Sequence, residues 1–118
     1  MKKKVICIIP ARGGSKGLKL KNLQKINNKP LIYYPIQAAI KSGVCDKVCV
    51  STDSPDIAKI ALKYGAEVPM LRDKKFSKDL TTTEETLKNA LLQFEEFYQT
   101  KFDICVFLAS TNIFRKIS

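Results

Sequence analysis

Ala11-Arg12-Gly13-Gly14-Ser15-Lys16-Gly17, with Lys19, Lys21 and Asn22 close behind, gathers the residue types that hold a polyphosphate. Glycines lack a Cβ, so successive backbone N–H groups can converge on one point and approach a ligand closely. Arg12, Lys16 and Lys21 add cationic, directional donors around that point. The apolar run Val5-Ile6-Cys7-Ile8-Ile9 just ahead reads as a buried strand, so the loop hangs from a strand exit. Two other phosphate loops are excluded by spacing. A Walker loop ends in a Gly-Lys-Ser/Thr triplet, which this chain lacks. The dinucleotide fingerprint runs Gly-x-Gly-x-x-Gly into a helix, whereas these glycines lead into the basic stretch Leu18-Lys19-Leu20-Lys21-Asn22. Chemistry on a bound phosphate develops charge on that phosphate and on its leaving group, so catalysis at such a loop is mostly positioning and cationic stabilisation. Arg12, Lys16 and Lys21 are the candidates for that work.

Other groups carry less information. Ser51-Thr52-Asp53 follows a second apolar run, and Asp53 reads equally as a metal or ribose ligand or as the start of a turn. Arg72 is an isolated arginine with either a binding or a structural role. Cys7, Cys49 and Cys105 lie inside apolar runs, where a thiol acts as a small hydrophobe, and Cys45 stands four residues before Cys49. With no histidine in the chain, reduced thiols are expected rather than zinc or disulfides.

These residues are positioned by alternating strand and helix patterns. After the first strand and its loop, residues 30–42 read as a helix with Leu31, Ile32, Ile36, Ala39 and Ile40 apolar, Pro30 in its first turn and Gly43 as its stop. Residues 46–51 read as a second strand. Ser54-Pro55-Asp56 then supplies an N-cap, an N1 proline and an early acid for a helix carrying Ile57, Ile60 and Ala61 and ending at Gly65. Residues 67–70 read as a short edge strand, and Arg72 to Thr81 as a polar stretch. Thr82 and Glu85 form a capping box ahead of a helical stripe at Leu87, Ala90, Leu91 and Phe94. Residues 102–108 read as a strongly buried strand. Such alternation predicts an α/β fold with a parallel sheet flanked by helices. Ligands of such sheets bind outside the carboxyl ends of the strands, where the Arg12 loop, Ser51-Thr52-Asp53 and Ala109-Ser110-Thr111 can converge.

At 118 residues, with 45% hydrophobic and 27% charged residues, the chain has the composition of one globular domain. No apolar run approaches the length of a membrane span, and the stretch after Met1-Lys2-Lys3-Lys4 is too short for a secretory signal, so a cytoplasmic location is expected. Net charge is +10, from 21 basic and 11 acidic residues. The lysines are dispersed and no RNA-binding aromatic motif is present, which argues against nucleic acid as the partner. Anionic small molecules account for part of the surplus.

The glycine-rich loop, together with Asn27-Asn28-Lys29-Pro30-Leu31, Val50-Ser51-Thr52-Asp53 and Tyr64-Gly65-Ala66-Glu67-Val68-Pro69, resembles the acylneuraminate cytidylyltransferases. These are the CMP-sialic acid synthetases and their legionaminic and pseudaminic acid relatives. The resemblance runs in order from about residue 5 to about residue 107. It implies a Rossmann-like nucleotidyltransferase fold and transfer of CMP from CTP to an acidic nine-carbon sugar, with Mg²⁺ assistance and release of pyrophosphate. It also implies that Arg12 and Ser15, with Gly13 and Gly14, lie along the triphosphate, and that Lys16 and Lys21 are catalytic cations. Asn22 then helps hold the nucleotide, Ala11 backbone groups meet the base edge, and Arg72, Asp79, Thr81 and Thr111 border the pocket. Another sugar nucleotidyltransferase and a non-catalytic nucleotide-binding module are the alternative readings.

Two departures stand out. The family shows Gln-x-Thr-Ser-Pro-Leu-Arg after the last strand, where this chain reads Ala109-Ser110-Thr111-Asn112-Ile113-Phe114-Arg115. Ala109 replaces a glutamine at the family's sugar junction, which points to altered sugar recognition or another substrate. The family also continues for a comparable length, with its sugar-binding residues, its dimer-forming segment and the paired aspartates that hold Mg²⁺. Residues 1–118 therefore read as the N-terminal, nucleotide-binding part of a cytidylyltransferase domain whose C-terminal half is absent. Asp53 remains a minor metal candidate, and a homodimer is expected only of the full-length family.

Overall fold

A computed structural model describes residues 3–11, 25–26, 28–71 and 83–108. Its elements, in chain order, are β1 (Val5–Pro10), β2 (Lys25–Ile26), β3 (Lys29–Pro30), α1 (Tyr33–Ser42), β4 (Lys47–Ser51), α2 (Pro55–Lys63), α3 (Thr83–Tyr98) and β5 (Ile104–Phe107). The main sheet has the order β4-β1-β5 and both pairings are parallel, with Ile8 opposite Cys49 on one side and Phe107 on the other. The expected α/β architecture is present.

β1 is the central strand, which explains its unbroken apolar run, because both of its faces are covered. Cys7 and Ile9 point to a core built with Ile32, Ile36 and Ala39 of the α1 segment and Ile57 and Ala61 of α2. Ile6 and Ile8 point the other way, onto Ala90 and Phe94 of α3, with Leu87 and Leu91 alongside. The Leu87-Ala90-Leu91-Phe94 stripe thus faces the sheet as its spacing predicts. Burial fixes register here, since a one-residue slip of β1 would exchange its two apolar sets.

Helix ends follow local chemistry. α1 stops at Gly43, in the left-handed region at φ 72°, whose N–H reaches Ile40 O. α2 begins at Ser54, whose Oγ accepts from Ile57 N at 3.3 Å, with Pro55 at its first position. Thr82, the first member of the expected Thr82–Glu85 capping box, falls outside the described residues, while Glu85 lies exposed in the first turn of α3.

Three expectations are corrected. Pro30 does not open α1. It pairs with Lys25 in the small antiparallel β2–β3 ladder, and the helix starts at Tyr33 after a turn at Leu31 and Ile32. The turn at Asn28, φ 67°, commits the preceding residues to this ladder, and a proline is compatible with such a short edge pairing. The third strand reduces to one parallel bridge between Cys49 and Glu67, because Pro69 cannot extend the ladder as a donor. β5 is shorter than expected and is not strongly buried, with Ile104 44% and Phe107 40% exposed. It lies at the end of the described sheet, so a sequence pattern typical of a central strand occupies an edge position.

Among the described residues, no helix is long and apolar enough to cross a membrane.

Candidate functional site

The carboxyl end of the sheet is built from buried backbone and hydroxyl groups. Ala11, 1% exposed, continues β1 by donating its N–H to Ser51 O at 2.9 Å. This bond joins the residue that begins the glycine-rich loop to the end of β4. Pro10 stands opposite Ser51 in the ladder, and the proline itself offers no donor, so the Ala11 bond is the one that carries the β1–β4 pairing past it. On the other side of β1, Leu108 N–H reaches Ile8 O at 3.2 Å. β5 therefore leaves the sheet at the same end, in the direction of Ala109.

The β4–α2 turn is fixed by two hydroxyls in series. Thr52 is fully buried and its Oγ1 accepts from Ser54 N at 3.1 Å. Ser54, also buried, caps α2, and Ser54 O accepts from Ala58 N. Asp53 sits between these two anchored residues, half-buried. The capping and turn-closing bonds thus belong to Ser54 and Thr52. Thr52 was expected at this mouth only as part of Ser51-Thr52-Asp53, and its turn-closing bond is a feature of the fold.

Of the residues named from the sequence, Ala11 and Asp53 are therefore placed at this mouth. Arg12, Gly13, Gly14, Ser15, Lys16, Lys21, Asn22, Arg72, Asp79, Thr81, Ala109 and Thr111 lie outside the described residues. Among the described residues, no group of three or more Cys, Asp or Glu side chains could hold a metal ion. Asp53 belongs to no such group among the described residues.

A second polar group ties the far side of β4 to α3. Tyr98 donates its hydroxyl to Glu67, and Cys49 Sγ lies 3.7 Å from the same oxygen. Lys47 Nζ sits 3.6 Å from Glu67 and 4.6 Å from the centre of the Tyr98 ring. Burial and the bond to Glu67 raise the Tyr98 pKa well above the usual phenol range. The ion pair is half-exposed and contributes little by itself. The Glu67 bridge itself is made by backbone bonds, Glu67 N to Val48 O at 2.8 Å and Val50 N to Glu67 O at 3.0 Å. Two shallow cavities, of about 370 and 270 Å³, open beside the end of α3 and beside Lys4, Asp46 and Phe102. Both flank the amino ends of the strands, away from the mouth, where parallel sheets do not bind nucleotides.

The four thiols are free. Cys7 and Cys49 are core residues, and burial pushes their pKa values up to about 12 and about 11. Cys105, at the edge strand, is raised to about 11, mainly by burial. Protonated, buried thiols have no nucleophilic role at this site.

Comparison with known proteins agrees with this geometry. A cytidylyltransferase family model matches residues 6–116. A pseudaminic acid cytidylyltransferase of Campylobacter jejuni is 40% identical over 113 residues, covering 96% of this chain and 49% of that protein. A CMP-N,N'-diacetyllegionaminic acid synthase of Legionella pneumophila is also 40% identical, covering 96% and 48%. An N-acylneuraminate cytidylyltransferase of Streptococcus agalactiae serotype V is 46% identical over 95 residues, covering 79% and 23%. Among solved structures, a CMP:2-keto-3-deoxy-manno-octonic acid synthetase complexed with CTP superposes with a TM-score of 0.71 at 25% identity, over 91% of this chain and 40% of that one. The chain spans about half the length of the first two relatives. On the extent of the family match and of these identities, the chain belongs to the cytidylyltransferase family.

Proposed function

We propose that this chain is the CTP-binding part of an enzyme that transfers CMP from CTP to a sialic-acid-like nonulosonic acid and releases pyrophosphate. The observation that carries the reading is the Ala11 N–H to Ser51 O bond, which sets the start of a cationic glycine loop beside the β4 exit at the carboxyl end of a parallel sheet. The family match and the names of the relatives support the cytidine nucleotide and the acidic sugar.

In this reading the β1 exit presents the loop, and Arg12, Ser15, Lys16 and Lys21 neutralise the triphosphate and the departing pyrophosphate. Gly13 and Gly14 admit the phosphates close to the backbone, and Ala11 and Asn22 hold the nucleoside, with Arg72, Asp79 and Thr111 at the pocket border. Mg²⁺, where it accompanies CTP, would add to the charge stabilisation of the departing pyrophosphate. The whole protein works in the cytoplasm and as a homodimer. Ala109, in place of the family glutamine, adapts the sugar side.

The test is pyrophosphate release from CTP in Mg²⁺, with N-acetylneuraminic, legionaminic and pseudaminic acids offered in turn. Release that requires one of these sugars, and that falls at least a hundredfold in Lys21→Ala, supports the reading. CTP binding without release from any of the sugars would make the chain a nucleotide-binding module. Release with another nucleotide in preference to CTP would overturn the cytidylyl assignment.

A further inference from the structure

We draw no further inference here: the strongest candidate, the apolar outer edge of the described sheet at β5, where Ile104 and Phe107 are exposed, carries nothing because nothing in the structure shows what covers it.

Discussion

Ser54 and the buried thiols show what single residues contribute here. Ser54 Oγ satisfies Ile57 N at the start of α2, a donor that is otherwise left without a helical partner. Ser54→Ala should therefore cost about 1 kcal/mol and lower the melting temperature by several degrees in a circular dichroism melt. Ser54→Asp should restore most of the loss. The thiols set an alkaline limit. An unfolded cysteine ionises near pH 9, whereas Cys7 holds its proton to about 12 and Cys49 to about 11. Between those values the unfolded chain binds fewer protons than the folded one, so stability falls as pH rises from about 9 to about 12. Melts at increasing pH should show the decline, and Cys7→Ala with Cys49→Ala should lessen it, Cys105 and Tyr98 supplying the rest. The role of these cysteines was legible from the apolar runs around them. Thr52 was not, because a buried hydroxyl at a turn declares itself through a bond to Ser54 N that no periodicity encodes.

Elements were legible where a local signal and the tertiary environment agree. Gly43 as the stop of α1, Ser54-Pro55 as the start of α2 and the apolar stripe of α3 all follow from chemistry within a few residues. Pro30 misled for a related reason. A proline suits either a first helical turn or a short edge strand, and the partner that decided between them, Lys25, comes from another segment. The two described glycines with positive φ make the element scale testable. At Gly65, φ 99°, an added Cβ would meet Ile40 Cδ1 at 3.1 Å, whereas at Gly43, φ 72°, it would meet nothing within 4 Å. Both alanine variants carry the left-handed backbone cost of about 1–2 kcal/mol. Gly65→Ala should be the more destabilising in urea titration because it adds the contact with Ile40. Equal losses would mean that Ile40 yields without cost.

At the scale of the whole molecule, the parallel sheet and its flanking helices were readable from alternation alone, but the order of strands was not. Patterning showed that residues 5–9 and 102–108 are apolar, not that the first would be central and the last would end the described sheet with Phe107 40% exposed. Neighbour relations are a property of the folded chain, and an apolar strand has the same pattern in either place. The candidate site divides likewise. The glycine loop and its cations were the strongest signal in the sequence. The joining of β1 and β4 through Ala11 and Ser51 gives that loop a strand exit to work from.

The central claim, that this mouth binds CTP, is tested most directly by thermal stabilisation of the purified chain. CTP, ATP, GTP and UTP are compared in Mg²⁺, with Arg12→Ala as the control. A ligand that binds the folded state alone raises the midpoint, by an amount set by its concentration over Kd. The account predicts a rise selective for CTP that disappears in Arg12→Ala, while that variant keeps its ligand-free midpoint. A cooperative transition that none of the four nucleotides moves would contradict it.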